Sequence, residues 1–244
     1  NSTLLLNIPP NREGKFSPQD VEVLQEVGKR IRETYNTNLF AKAKGAKKVT
    51  DNNPNTFVLL KKNNKEIILT TKEPQTINRI MIQEAVGTHS ERVEKHAVDA
   101  WVDNQWVEVA AATNIGYKRI LRFPEVTTNK IRVRVLEWRM NPAISHVSAH
   151  YYKTRPPQLD FARNTEGLVT IAPKQAEFKW NPSGQNASDN LNMGHEIYYT
   201  LDGSEPTQQS NLYTQQFFAE NQEIKAVSFL KGEKGSTEST TVGL

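Results

Sequence analysis

The chain has 244 residues, 31 basic and 27 acidic side chains, a net charge of +4 and no cysteine. That length suits one large domain or two to three small ones, and the missing cysteines exclude disulfides and thiolate catalysis and argue against a structural zinc site. The even charge balance argues against a nucleic-acid partner, and at a mean hydropathy of −0.65 no apolar run approaches the ~20 residues that span a bilayer.

The basic patches Lys42–Lys48 and Arg132, Arg134 with Arg139 lack interleaved stacking aromatics and read as solvated surface. Asn1 to Leu6 has neither the basic stretch nor the apolar stretch of a secretory leader, which leaves the compartment open.

The run "TLLLNIPPNREG", Thr3 to Gly14, reads as a strand buried on both faces, followed by a loop. Such a strand needs neighbours on both sides, and these are expected to be missing from this chain. A helix follows from Ser17 to about Tyr35. Ser17 is a good N-cap, Pro18 suits the first helical position, and Asp20 falls in the first turn, where negative charge is favoured. Leu24, Val27, Ile31 and Tyr35 recur at intervals of three and four and form one apolar face. That face is expected to pack on the domain that follows.

From Asn38 to about Tyr152 short alternating runs dominate. "INRIMIQEA", "AVDAWV", "QWVEVA" and "KIRVRVLEW" each show period two, with Ile131, Val133 and Val135 on one face and Arg132 and Arg134 on the other. Asp103-Asn104-Gln105 reads as a tight hairpin. This is the pattern of an antiparallel β-sandwich. "KTRPPQLD" reads as a linker stiffened by two prolines. Leu168 to Leu244 reads as a smaller all-β unit, with a hairpin signal at Asp202-Gly203 and a polar surface loop at Asn181–Asn192 that contains the sequon Asn186-Ala187-Ser188.

Three segments carry family resemblances. "LLLNIPPNREG" and the helix after it resemble the last strand, loop and helix of the (β/α)8 barrel of α-L-fucosidases of glycoside hydrolase family 29. "IMIQEAVGTHSERVEKHAVDAWVDNQWVEVAAATNIGYKRI" resembles the discoidin-like (F5/8 type C) domain that follows that barrel; "VTDNNPNTFVLL" resembles its opening strand and "NPAISHVSAHYY" its closing one. "IYYTLDGSEPTQQSNLYTQQF" resembles the C-terminal immunoglobulin-like domain of chitobiases and β-hexosaminidases. The order of these segments implies a mainly β chain: two β-sandwich domains, a discoidin-like jelly roll and a small immunoglobulin-like domain, preceded by one orphan βα unit of a barrel. The boundaries expected are 1–37, 38–153 and 154–244.

The resemblance implies an exo-acting, retaining parent enzyme whose two carboxylates lie on the missing barrel, so no catalytic residue is expected here and the barrel is the expected partner. Asn7, at the end of the barrel strand, would lie at the active-site rim or simply close its loop by hydrogen bonding. Asp51, Asn53 and Thr56 fall where many discoidin-like domains hold calcium. His146 stands where those members carry a glutamate, and imidazole is a poor calcium ligand, so no metal is expected. His146 and His150 are four apart on a strand, ~13 Å at ~3.3 Å per residue, too far to share a metal; they read as solvent-side. No cofactor motif is present.

Sugar sites pair an aromatic face with planar polar donors. Trp138, Arg139 and Asn141 have that composition, as do His89 and Arg92, so carbohydrate binding is the candidate activity of the middle domain. Trp101, Trp106 and Trp138 fit core or edge packing equally, and Arg92 fits a structural ion pair. A stand-alone carbohydrate-binding protein and a structural spacer are the rival readings. A periplasmic or secreted location follows only from the resemblance.

Overall fold

The computed structural model describes residues 6–61, 63–174 and 194–242. The chain divides into two compact units, Asn1–Lys153 and Thr154–Leu244.

In the first unit, helix α1 spans Pro18–Tyr35. Ser17 Oγ accepts from the Asp20 N–H at 3.1 Å and donates to the Asp20 carboxylate at 2.7 Å, so the cap forms as its residues dictate. The apolar face forms too, but much of it is exposed: Leu24 and Tyr35 are half-buried, Val27 and Ile31 are not. Val23, Val27 and Ile31 are 57%, 47% and 55% exposed, and Thr34 is the buried residue of the helix. The expectation that this face packs on the sandwich therefore fails. The sheet surface at the end of the helix carries Arg79, Ser148 and His150, and polar side chains give an apolar stripe little to bury against. Contact comes instead from the last residue, Tyr35, whose ring meets His150 edge-on at 5.2 Å.

The opening strand falls mainly on residues that are not described. Its Leu4 and Leu5 lie outside the described residues, and Leu6 to Phe16 form no strand. Asn11 Oδ1 instead accepts from the N–H groups of Glu13 and Lys15 at 2.9 and 3.0 Å and closes a loop. Among the described residues no neighbouring strand pairs with this segment, so its peptide groups have no ladder to join.

The sandwich contains β1 (Lys44–Gly45), β2 (Val58–Leu59), β3 (Glu66–Glu84), β4 (Val93–Val102), β5 (Gln105–Ala112), β6 (Arg119–Trp138) and β7 (Ala143–His150). A short helix α2 covers Val86–His89. The strand order is β2-β7-β3-β6-β4-β5, with β1 on β3. The long strands β3 and β6 lose register between Thr70 and Gln75. Beyond that break β3 pairs with β7 as well as β6, and before it β6 pairs with β4. The break bends both strands from one layer into the other. The core between the layers is built from inward residues of both halves, among them Ile67, Leu69, Ile80, Ile82, Leu121, Ile131, Val133 and Val147. The Asp103-Asn104 turn joins β4 to β5 with φ of 48° and 60°, as a two-residue hairpin requires.

Two surface readings change. Arg132 and Arg134 do not form a solvated patch. Both donate to Asp99, whose side chain is 2% exposed: Arg132 Nε at 2.7 Å, Arg134 Nε at 2.6 Å and Arg134 Nη2 at 2.8 Å. Arg132 also lies 4.5 Å above the Trp106 ring, and Trp106 meets Trp101 edge-on at 5.2 Å. These two tryptophans therefore pack on the outside of the sheet beneath cations. His146 and His150 are buried rather than solvent-side. The segment after α1 covers that face of β7: His150 Nδ1 lies 2.8 Å from Thr37 O, and Nε2 lies 2.8 Å from Ser148 Oγ.

The second unit contains β8 (Leu159–Arg163), β9 (Leu168–Pro173), β10 (Glu196–Thr200), β11 (Asn211–Leu212), β12 (Phe217–Phe218), β13 (Gln222–Leu230) and β14 (Glu233–Val242). They form sheets of order β12-β9-β8 and β11-β10-β13-β14. Leu159, Val169, Ile171, Ile197, Ile224 and Ala226 fill the space between them. Asp202-Gly203 opens the long connection between β10 and β11, which pair antiparallel, rather than forming a tight two-residue turn. Asp202 Oδ1 accepts from the Ser204 N–H at 3.0 Å, and Gly203 donates to Glu223 O at 3.0 Å, so the run turns the chain aside from β10. The loop Asn181–Asn192 and its sequon lie outside the described residues.

Candidate functional site

Four strand ends of the first unit meet at one end of the sandwich. Val93, which opens β4, pairs with Trp138, which closes β6. Ala85, just after β3, donates to Ala143 O at 2.8 Å, and Leu60, just after β2, donates to Pro142 O at 2.8 Å. The antiparallel register thereby places three segments side by side: 57–61 with 63–65, 85–92 and 139–142.

Glu84 fixes the second of these. It is 3% exposed and lies in register with the core residues Ile80 and Ile82. Its Oε1 accepts from the N–H groups of Arg92 and Val93 at 2.8 and 3.1 Å, and its Oε2 from Gly116 N–H at 2.8 Å. Burial raises the Glu84 pKa, opposed by these three backbone hydrogen bonds. The buried acceptor satisfies peptide groups that the loops would otherwise leave unpaired.

Asn141 is the meeting point of the side chains. Its Oδ1 accepts from Lys65 Nζ at 3.2 Å and its backbone carbonyl from Arg92 Nη1 at 2.8 Å. Arg92 Nε donates to His89 O at 2.6 Å. Lys65 Nζ also donates to Leu60 O at 3.1 Å and stands 4.7 Å above the Trp138 ring. Desolvation holds the Lys65 pKa below the ordinary lysine value. The His89 ring is 4.2 Å from the Phe57 ring, with Nδ1 2.9 Å from Thr88 Oγ1. Ser90, between His89 and Arg92, has φ 55° and ψ −177°, a region costing a non-glycine residue about 1–3 kcal/mol.

The structure thus brings His89, Arg92, Trp138 and Asn141 into one constellation. Arg139 joins through its backbone, donating to Arg92 O at 2.9 Å, while its guanidinium pairs with Glu94 at 2.8 Å. Asn7 lies exposed in the loop before α1. Sequence reasoning missed Lys65, Phe57 and Glu84. For Glu84 a signal existed: it continues the inward register of β3, where a carboxylate is out of place. Lys65, one of several lysines in "KKNNK", carried none.

In the loop after the 3-10 turn Lys47–Val49, Asp51 Oδ2 accepts from Thr56 Oγ1 at 2.7 Å and Oδ1 from the Asn53 N–H at 2.9 Å. The Thr56 hydrogen bond is the main cause of a lowered Asp51 pKa. Among the described residues no group of three or more His, Asp or Glu side chains is placed to hold a metal ion.

Comparison with known proteins follows this geometry. Residues 33–149 match the F5/8 type C domain family, and residues 182–241 match the chitobiase/β-hexosaminidase C-terminal domain family. Alpha-L-fucosidase 1 of Arabidopsis thaliana is 26% identical over 171 residues, covering 63% of this chain and 34% of that protein. The chain is a relative of the α-L-fucosidases of glycoside hydrolase family 29. The structure of a Ruminococcus gnavus fucosidase of that family, in complex with fucose, matches 63% of this chain and 34% of its own at 27% identity and a TM-score of 0.54. A family 29 member from an unknown rumen bacterium covers 99% of this chain and 48% of its own at 19% identity and a TM-score of 0.55, a likeness of fold. The chain spans about a third of the length of the curated fucosidases it matches. Its F5/8 type C domain carries the constellation around Asn141. Among the described residues no helix is long and apolar enough to cross a membrane.

Proposed function

We propose that the chain is the C-terminal accessory region of an α-L-fucosidase and does not cleave fucosides by itself. The observation that carries this reading is the exposed apolar face of α1, where Val23, Val27 and Ile31 stand in solvent. A helix with one apolar stripe is made to be covered, and the catalytic barrel of the same enzyme is the partner that fits. On this reading residues 1–37 complete that barrel, 38–153 are the discoidin-like domain and 154–244 the chitobiase-like domain. The parent would be a retaining exo-enzyme, with its two carboxyl groups about 5–5.5 Å apart on the barrel and Asn7 near the rim of its active site. A periplasmic or secreted location goes with such an enzyme. Hydrogen exchange tests the role of α1. In the isolated chain its amides should exchange far faster than those of β3, and joining a family 29 barrel ahead of it should protect them. Equal protection of α1 and β3 in the isolated chain would contradict the reading.

The constellation supports a second role for the same region, binding of a glycan by His89, Arg92, Trp138, Arg139 and Asn141. Its support is their convergence on one end of the sandwich, with an aromatic face beside planar donors. Calorimetric titration with fucose, galactose and their oligosaccharides should give heats that saturate in the millimolar range. Flat titrations at millimolar sugar would leave the domain with a structural role only.

A further inference from the structure

Several cations on the strands that lead into this site are neutralised. Arg139 pairs with Glu94, Lys95 with Glu137, Arg132 with Asp99 and Glu66, and Arg134 with Asp99 and Glu108. Lys65 and Arg92 differ. Both hydrogen-bond to Asn141, so they stand within the span of one residue, and among the described residues neither pairs with a carboxylate. Glu84 cannot serve, because its buried carboxylate is engaged by three backbone N–H groups. We propose that the site formed by Lys65, Arg92, Asn141 and Trp138 takes sugar units bearing a carboxylate or a sulfate in preference to neutral ones. This rests on the reading of the constellation as a glycan site.

The donor count supports the preference. Two of the three Lys65 ammonium protons are directed at Leu60 O and Asn141 Oδ1, which leaves one. Arg92 spends its Nε hydrogen on His89 O and one Nη1 hydrogen on Asn141 O, which leaves three of its five N–H donors. Both cations keep free N–H donors and both are bound to Asn141, a match for an anionic group with several oxygens, and such charge-assisted bonds are roughly twice as strong as neutral ones. Trp138 is 38% exposed, with the Lys65 ammonium above its ring. Any pyranose must push that cation aside to stack on the indole, and an anionic substituent offsets the cost by pairing with the displaced ammonium.

Calorimetry on the 244-residue chain with galactose, galacturonate, galactose 6-sulfate and inorganic sulfate, each at 50 and 500 mM sodium chloride, tests this. The two anionic sugars should bind at least about tenfold more tightly than galactose at low salt, with the advantage shrinking at high salt. Lys65→Met, which keeps an apolar stem beside Trp138, should remove most of the advantage; Arg92→Gln is the second variant, and a thermal melt checks that each is folded. Galactose binding as tightly as its anionic analogues would overturn the preference and leave the glycan site standing. Inorganic sulfate binding as tightly as galactose 6-sulfate would mark a plain anion site and overturn the proposal. An undiminished preference in both variants would overturn the assignment to Lys65 and Arg92. No heat from any sugar would overturn the preference and the glycan site together.

Discussion

Glu84 and Gly116 hold each other across 32 residues of sequence: the Glu84 N–H donates to Gly116 O at 3.0 Å, and the Gly116 N–H donates to Glu84 Oε2 at 2.8 Å. The other carboxylate oxygen holds Arg92 and Val93. Glutamine keeps the shape of Glu84 but turns one acceptor into an NH2 group facing an N–H. Each buried peptide group left unpaired costs about 1–3 kcal/mol. Glu84→Gln should therefore lower stability in urea by about 2 kcal/mol and speed exchange at the Arg92, Val93 and Gly116 amides. Gly116 has a φ of 63°, so Gly116→Ala should cost about 1 kcal/mol through backbone strain.

His96 is fully buried. Its Nδ1 lies 2.6 Å from Thr113 O, its Nε2 has no partner, and desolvation lowers its pKa from 6.5 to about 4. Between those values the unfolded chain binds the proton and the folded chain does not. Stability is thus complete above pH 6.5 and falls as pH drops toward 4, by about 3 kcal/mol at most. His146 and His150, whose pKa values burial also lowers, act in the same direction. Glu84, with its raised pKa, acts oppositely, losing stability as pH rises through its own value. Urea midpoints measured from pH 7 to 4 should fall, and His96→Leu should flatten the decline. A flat wild-type profile would contradict the burial of these histidines.

Asp99 is surrounded by Arg132 and Arg134. Burial alone would raise its pKa, but the hydrogen bonds from Arg134 and then Arg132 lower it. Its contribution is therefore present above the ordinary aspartate value and lost as pH falls below it. Asp99→Ala leaves two guanidiniums facing each other and should cost about 3 kcal/mol. Truncating Arg132 and Arg134 as well should recover part of that loss, measurable as a shift in urea midpoint.

Helix α1 supports the rest of its unit only at its end. Removing residues 1–33 should leave the thermal transition within about 2 °C, since exposed apolar side chains contribute little. Removing residues 1–36 should cost about 1–2 kcal/mol more, because Tyr35 and its contact with His150 go with it. A large loss from the shorter truncation would mean that Val23, Val27 and Ile31 are buried in solution.

Much of this fold can be read from local pattern. The N-cap at Ser17, the period-two strands and the positive φ turn at Asp103-Asn104 each depend on a few adjacent residues. What covers an element cannot be read that way. Periodicity in α1 records a stripe but not its partner, and His146 and His150 alternate as polar residues do on an open strand although the segment after α1 lies over them. The candidate site was legible in two halves, His89 with Arg92 and Trp138 with Asn141. Their union depends on the non-local pairing of β4 with β6 and on Lys65, an ordinary lysine in a polar loop. One side chain ties together three separated stretches of the discoidin-like segment: Glu84 bonds the N–H groups of Arg92, Val93 and Gly116.

Hydrolysis of 4-nitrophenyl α-L-fucoside by the purified 244-residue chain tests the central claim most directly. The accessory-region reading predicts a rate equal to buffer alone at every pH from 4 to 8. Saturable release of nitrophenol that tracks the protein through successive columns would contradict it, and would place a catalytic carboxylate pair within this chain.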